Sequence, residues 1–192
     1  MQADIDIDKL IQRDRKEYAA LVDSYSDKVY RLALRMTGDE QDAEDVLQET
    51  FIKVFKYIDG FKGLSSLSTW IYRIAMNEAL MLLRKHRPEG YSLDEENEDE
   101  DITPRQIASW GALPEKALVS SETAHHLQVA VMRLPETLRS VFLLRDTEQF
   151  SVKETAEALG ISEGAVKVRL LRARLKLREY LSVYFSEPSL EM

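Results

Sequence analysis

The chain has 192 residues, of which 44% are hydrophobic and 31% charged, and its formal net charge is -8 at pH 7. A chain of this length and polarity buries one sizeable core or two small ones and is too polar for a membrane protein. It contains no cysteine, which excludes disulfides, thiolate zinc sites and cysteine nucleophiles. The acidic N-terminus is unlike a signal peptide, and no run of about 18 apolar residues is present, so we expect a soluble, cytoplasmic protein without membrane insertion.

The sequence shows no sign of catalytic chemistry. The three histidines, His86, His125 and His126, do not have a metal-ligand spacing. There is also no phosphate-cradling glycine loop and no pair of nucleophile and base. We therefore predict no catalytic residues, no metal site and no cofactor.

The N-terminal third of the chain begins with a charged, weakly periodic stretch over residues 1–17, predicted as a tail or a frayed helix. From 18 to 36, apolar residues recur every three or four positions, which predicts an amphipathic helix ended by Gly38. A second helix follows, capped by Asp42 or a neighbour. Its predicted buried stripe contains Val46, Leu47, Thr50, Phe51, Val54, Phe55 and Ile58.

The other face of this second helix is acidic, because residues 39–49 hold six carboxylates and no cation. Asp45, Gln48 and Glu49 lie outside the buried stripe and face solvent or a partner. One interpretation is acid at a helix N-terminus, favoured by the macrodipole and by solubility. The other is a docking face for a basic surface.

Residues 60–68 are predicted as a loop from their glycine and serine content, with Ser68 capping a third helix. On that helix Arg73, Asn77 and Arg84 share one face. Such a basic, polar face beside a loop suits a nucleic-acid strand whose bases have left the stack, although a solvated helix face has the same spacing. The predicted core residues of this helix are Trp70, Ile71, Ile74, Ala75 and Leu82.

The helical pattern stops at Pro88, and residues 89–114 are predicted as an acidic flexible linker in which seven of the eight residues from 94 to 101 are acidic. The linker divides the chain into domains at 18–88 and 115–183, followed by a tail at 184–192. We therefore predict an all-α fold with two small helical domains.

The second domain is predicted to end in a helix-turn-helix. Ser151 and Glu154 form a capping box, Gly160 makes the turn, and Ser162 caps the last helix. Upstream, Leu127, Val131 and Leu134 mark one helix, Pro135 stands at the start of the next, and Leu138, Val141, Phe142 and Arg145 continue it.

The last helix is basic, with six cations and no carboxylate between residues 164 and 178. In a helix-turn-helix, the N-terminal end of this helix reads base edges and later cations hold phosphates. The predicted base readers are Glu163, Gly164, Lys167 and Val168, and the predicted phosphate contacts are Arg169, Arg172 and Arg174.

Two blocks of sequence together resemble one family. The stretches DAEDVLQETFIKVFKYIDGF and STWIYRIAMNEAL, followed by LPETLRSVFLLRDTEQFSVKETAEALGISEGAVKVRLLRARLKLRE, resemble bacterial sigma factors of the extracytoplasmic-function (ECF) type. The resemblance covers residues 18–88 and 115–181 and implies a sigma-2 and a sigma-4 domain. It implies an alternative sigma factor, which binds core RNA polymerase, directs it to promoter DNA and helps to melt that DNA.

The resemblance also implies roles for individual residues. Asp45, Gln48 and Glu49 would dock on the β′ clamp helices of the polymerase, with Asp42 and Lys53 beside them. Sigma-4 would read the minus-thirty-five element through Ser162 and the helix that Ser162 caps, and would rest on the β flap. The implied contacts to the minus-ten element are Lys62, Ser66, Asn77 and Arg84, supported by Arg73 and Lys85.

The family implies an anti-sigma factor as a partner, and the linker either enters the RNA exit path or is a solvated spacer. Many family members have an acidic residue where Met81 stands and a small polar one where Val168 stands, and both positions lie on or near the predicted reading faces. The alternatives from other classes are a stand-alone helix-turn-helix regulator and a nucleic-acid enzyme.

Overall fold

A computed structural model describes residues 5–86 and 121–186, and every regular element within these two ranges is a helix. The predicted linker at 89–114, and most of the predicted C-terminal tail, lie outside them. The α-helices are α1 (Ile7–Ile11), α2 (Arg15–Thr37), α3 (Glu40–Tyr57), α4 (Leu67–His86), α5 (Ser121–Met132), α6 (Glu136–Phe142), α7 (Val152–Leu159) and α8 (Glu163–Ser186).

Helices α2 and α3 form where they were predicted, with different starting points. Helix α2 begins three residues before position 18 because the Asp14 carboxylate accepts hydrogen bonds from the backbone of the first turn. It ends at Gly38, whose φ of 80° is the left-handed conformation that glycine adopts without strain. Asp39, and not Asp42, caps α3, since the Asp39 side chain accepts from the backbone N–H groups of Gln41 and Asp42.

The buried stripe of α3 was predicted correctly except at Leu47, which is half-buried, and at Phe55. Val46, Thr50 and Val54 are buried as expected, but Phe55 is 44% exposed. The Phe55 ring lies edge-on to Tyr18, with ring centroids 5.1 Å apart, and the Arg13 guanidinium lies 4.6 Å above it. Phe55 is therefore a surface residue covered in part by the N-terminal segment, and its prediction as core was wrong.

Helix α4 begins one residue before the predicted cap. The hydroxyl of Ser66, rather than Ser68, accepts a hydrogen bond from the Thr69 N–H at 3.0 Å. Ile71 and Ala75 are buried as predicted, while Trp70, Ile74 and Leu82 are only half-buried. A further row of buried residues on α4 was not predicted. These residues are buried because α4 contacts α7 of the second domain as well as α2 and α3. This row consists of Tyr72, Met76 and Ala79.

The second domain contains the predicted helix-turn-helix. The capping box of Ser151 and Glu154 is present, and Gly160 adopts a φ of 66° at the turn between α7 and α8. Pro135 lies just before α6, one position earlier than predicted, and α6 continues into a π-helical turn at Leu143–Thr147. The buried residues of α8 include Val166, Leu170, Ala173 and Leu177.

The two domains pack against each other. One continuous cluster of buried hydrophobic residues includes Leu21 and Met36 of the first domain and Leu144, Ala158 and Leu177 of the second. Such burial removes apolar surface from water and stabilises the contact between the domains. No helix within the described residues combines the length and apolar character needed to cross a bilayer.

Candidate nucleic-acid interface

The N-terminal turns of α8 form an exposed surface, which we call the recognition surface. The Ser162 hydroxyl accepts a hydrogen bond from the Ala165 N–H at 3.1 Å and so fixes the start of the helix. Val166 is buried in a second, smaller cluster of hydrophobic residues in this domain, and its packing there holds the turn in place. The four predicted base readers, Glu163, Gly164, Lys167 and Val168, are all exposed on this surface.

The three arginines predicted to hold phosphates have different environments. Arg169 and Arg172 are half-buried on α8. Arg174 forms two hydrogen bonds to the Asp146 carboxylate, from Nε at 2.9 Å and from Nη2 at 2.6 Å. These bonds raise the pKa of Arg174. The paired guanidinium has a structural partner within the domain, which sequence periodicity did not indicate.

The exposed face of α4 presents the polar residues predicted to contact the minus-ten element, and we call it the minus-ten face. Arg73, Asn77 and Arg84 share one exposed stripe, and Lys85 is exposed near the end of the helix. Met81, between Asn77 and Arg84 on this stripe, is 44% exposed. This stripe combines donors for phosphates and bases with one apolar side chain.

The loop before α4 adds two more exposed features. Lys62 is exposed, and Leu64 is 88% exposed. The Ser66 hydroxyl lies 2.7 Å from the Ser68 hydroxyl and 2.8 Å from that of Thr69, so its hydrogen-bonding capacity is partly used within the loop. Sequence reasoning gave Leu64 no role, because a single exposed leucine has no periodic signature.

The acidic surface of α3 contains Asp45, Gln48 and Glu49, and all three are exposed. We call it the docking face. Ile52, one turn further along the helix, is 56% exposed and extends this face with apolar area. The combination of carboxylates, an amide and an exposed isoleucine suits a basic partner surface with an apolar patch.

Two residues predicted beside the docking face are engaged within the domain. The Lys53 ammonium is paired with the carboxylate of Glu78 on α4, which is 9% exposed. The Asp42 carboxylate lies 3.4 Å from Nδ1 of His86. Both contacts join α3 to α4, so these side chains also fix the docking face relative to the minus-ten face.

A helix-turn-helix with a basic second helix, in a chain of net charge -8, defines a DNA-binding protein. Comparison with known proteins agrees with this class and refines it. Residues 21–89 match the family of sigma-70 region 2, and residues 125–177 match that of sigma-70 region 4.

Curated relatives match over most of the chain. The ECF RNA polymerase sigma factor SigW of Bacillus subtilis (strain 168) is 40% identical over 88% of this chain and 90% of its own length. The ECF RNA polymerase sigma-E factor of Haemophilus influenzae is 34% identical over 88% of this chain and 89% of its own length.

Solved structures share the fold. CnrH in complex with the cytosolic domain of CnrY matches with a TM-score of 0.65 at 22% identity, covering 92% of this chain and 95% of that one. The sigma factor RpoE in complex with the anti-sigma factor NepR, from Bartonella quintana, matches with a TM-score of 0.62 at 24% identity over 88% and 98%. The chain belongs to the ECF family of RNA polymerase sigma factors. It is an alternative sigma factor that directs RNA polymerase to promoters.

Proposed function

We propose that the two domains divide the work of promoter recognition between three surfaces. The docking face of α3 binds the β′ clamp helices of core RNA polymerase through Asp45, Gln48 and Glu49. The recognition surface of α8 reads the minus-thirty-five element as duplex DNA, and the second domain rests on the β flap. The minus-ten face of α4 and the loop before it bind the minus-ten element as its strands separate.

The observation that carries this proposal is the separation of charge on the described surface. The docking face has two carboxylates and no cation among its three residues, whereas the minus-ten face presents Arg73, Arg84 and Lys85. The recognition surface presents Lys167 and one carboxylate, Glu163, and Arg169 and Arg172 follow on the same helix. Cations bind the phosphates of DNA and carboxylates repel them. The three surfaces can therefore engage a protein partner and DNA at the same time.

Two domains are needed because either one alone binds DNA weakly. A single helix-turn-helix reads a few base pairs, and its affinity falls steeply with salt. Core polymerase holds both domains on one DNA molecule, which raises the effective concentration of the second contact. The chain thus selects the promoter and helps to open the DNA strands, and the polymerase carries out RNA synthesis.

The proposed function also predicts where in the cell the chain acts and a second protein partner. The chain itself is non-catalytic and acts in the cytoplasm, where the polymerase is. An anti-sigma factor holds it inactive by covering polymerase-binding surfaces. This regulation is supported by the structural relative RpoE of Bartonella quintana, which was solved in complex with the anti-sigma factor NepR.

The docking face is tested by changing Asp45, Gln48 and Glu49 together to alanine. Loss of two carboxylates and an amide from the face should reduce the fraction of the chain that co-purifies with core polymerase by at least tenfold. The matched control is Asp23→Ala with Asp27→Ala, which removes two exposed carboxylates from α2 and leaves the docking face intact. Equal co-purification of the two variants with core polymerase would contradict the docking assignment, provided that both retain the helical circular dichroism of the unchanged chain.

A further inference from the structure

The first described residues, 5–14, pack on the end of α3, and we call this segment the N-terminal brace. It precedes residues 21–89, the range that matches sigma-70 region 2. Its short helix α1 is capped by the Asp6 side chain, which accepts a hydrogen bond from the Lys9 N–H at 3.2 Å. The Asp6 N–H donates to a Glu17 carboxylate oxygen at 2.7 Å, so the brace is also tied to the start of α2.

The brace contacts a short 3-10 turn at Ile58–Gly60, which follows α3. Residues 61–66, which we call the minus-ten loop, come directly after this turn and lead into α4. Leu10 of α1 and Ile58 of the turn are both buried in the main hydrophobic cluster. Their burial removes apolar surface from water and holds α1 against the turn.

Arg13 makes the polar contact between the brace and the turn. Its Nη2 donates a hydrogen bond of 2.8 Å to the carboxylate of Asp59. The same guanidinium lies above the Phe55 ring, one turn of helix earlier. The backbone of Arg13 has a φ of 63°, a left-handed conformation that residues other than glycine rarely adopt and that persists where the surrounding contacts hold it. Arg13 is therefore anchored on two residues at the end of α3.

The composition of the minus-ten loop favours several backbone conformations, since it contains Gly63 and two serines. Gly63 has a φ of 67°, and a Cβ placed on it would have no contact within 4 Å beyond its chain neighbours among the described residues. Leu64, the next residue, is exposed. The centre of the loop therefore depends on its two ends for a fixed position.

Both ends of the minus-ten loop are held. At the first end, the Phe61 N–H donates to the Ile58 carbonyl at 3.0 Å, and the Phe61 ring packs on Trp70 of α4 with centroids 5.5 Å apart. At the second end, the Ser66 hydroxyl accepts from the Thr69 N–H. The brace supports the first end, because it holds the turn that immediately precedes Phe61.

We propose that the N-terminal brace positions the minus-ten loop for strand opening, and that Arg13 is a positioning residue that acts through Asp59. The inference rests on the proposed function for the role of the loop in binding separated strands. A loop that is ordered before binding loses less conformational entropy when it takes up an unstacked base. The brace therefore favours the open complex and has little effect on contacts made by the other surfaces.

The experiment breaks the ion pair from each side in the full chain. Arg13→Met keeps an unbranched side chain over Phe55 and removes the charge, whereas Asp59→Asn removes the carboxylate and leaves the arginine on the ring. The matched control is Lys9→Met, because the Lys9 ammonium is paired with Asp6 at 3.3 Å within the brace itself. An exposed ion pair contributes little to global stability, so all three variants should keep the helical circular dichroism of the unchanged chain.

The first readout is the mobility of the loop in the free chain. The chain lacks cysteine, so Leu64→Cys introduces one site for a nitroxide spin label at the centre of the loop. The electron resonance spectrum of this label should show faster motion in Arg13→Met and in Asp59→Asn than in the unchanged background or in Lys9→Met. A label at Gln41→Cys, exposed at the start of α3, should have the same spectrum in every background.

The second readout is strand opening by the holoenzyme, followed by permanganate reactivity with the unlabelled chain. Arg13→Met and Asp59→Asn should each slow opening about threefold, a loss of the size expected for one ion pair, with core binding and closed promoter binding unchanged. The variant with both substitutions should also lose about threefold, since both side chains act through one contact. Lys9→Met should open promoter DNA at the unchanged rate.

Three results would each overturn the proposal: a Leu64 label that moves equally fast in Arg13→Met and in Lys9→Met, strand opening that is unchanged in Arg13→Met, and losses that multiply in the double variant. If the unchanged chain gives no strand opening with core polymerase, the proposed function fails. Faster motion of the Leu64 label in Arg13→Met than in Lys9→Met would then still show that the brace orders the loop.

Discussion

The guanidinium of Arg174 binds both carboxylate oxygens of Asp146, through Nε at 2.9 Å and Nη2 at 2.6 Å. This ion pair joins α8 to the π-helical turn after α6 and so fixes α8, which carries the recognition surface, against the rest of the second domain. Two parallel hydrogen bonds to one carboxylate are stronger than a single surface ion pair. Arg174 therefore has a structural role that precedes any contact with DNA.

Replacing Asp146 by asparagine separates the two roles of Arg174. If the pair is structural, Asp146→Asn should cost about 1 kcal/mol, lowering the Tm by about 2–4 °C and leaving promoter binding no tighter. If the carboxylate instead only withholds Arg174 from DNA, the variant should bind promoter DNA more tightly as part of the holoenzyme. Calorimetry together with promoter binding measures both quantities, and tighter binding at unchanged Tm would contradict the structural role.

Asn77 lies in the middle of the minus-ten face, and Asn77→Ala should impair strand opening more than closed binding. The side-chain amide offers two donors and an acceptor for an unstacked base, none of which alanine replaces. Permanganate reactivity of the melted strand should fall about tenfold while the fraction of DNA bound at low temperature changes little. Gln128→Ala, an exposed amide on α5, is the control. Equal losses in closed binding and in opening would remove the melting role of Asn77.

Lys167 and Arg172 should respond differently to substitution by alanine. Lys167→Ala should alter the preference among minus-thirty-five sequences, because the exposed Lys167 side chain lies among the predicted base readers. Arg172→Ala should weaken binding uniformly and reduce the slope of log affinity against log salt by about 1, as expected for one lost phosphate contact. Holoenzyme binding to a set of promoter fragments in a salt series checks both. Lys153→Ala on α7 is the control for loss of charge, and the recognition assignment is wrong if all three behave alike.

Glu154 should make the stability of the second domain depend on pH. Hydrogen bonds from Ser151 lower the pKa of this carboxyl from its ordinary value of 4.5. A carboxyl with a lowered pKa in the folded state stabilises the fold above its unfolded pKa, and this contribution is lost as the pH falls through the folded pKa. Glu154→Gln should therefore be less stable near pH 7 and approach the unchanged chain at acid pH. Urea unfolding from pH 7 to 3 tests this, with Glu157→Gln as the control; a constant difference across that range would exclude the linkage.

The sequence was sufficient to predict features that depend on local chemistry. The spacing of Ser151, Glu154 and Gly160 predicted the capping box and the left-handed turn, because these depend on residues a few positions apart. The exposure of Asp45 and Lys167 followed from helical periodicity alone. Family resemblance then supplied the polymerase and promoter roles, which periodicity could not.

The sequence did not predict features that depend on distant contacts. Tyr72 is buried because Phe150 and Glu148 pack on it from 76 or more positions away, and no local pattern encodes such a pairing. The cation of Arg139 is buried among carbonyls at the ends of α2 and α5, a position that its polarity argues against. Phe55 looked like core from its spacing, yet its ring is 44% exposed and is covered only in part, by Tyr18 and Arg13.

The most direct test of the central claim is transcription in vitro by core polymerase over a library of promoters, with and without this chain. A sigma factor should give transcripts that depend on the chain and that start downstream of one shared pair of minus-thirty-five and minus-ten elements. DNA footprints should be seen only when core polymerase is present. Specific footprints by the chain alone, without any transcripts dependent on it, would contradict its role as a sigma factor and would favour a stand-alone regulator.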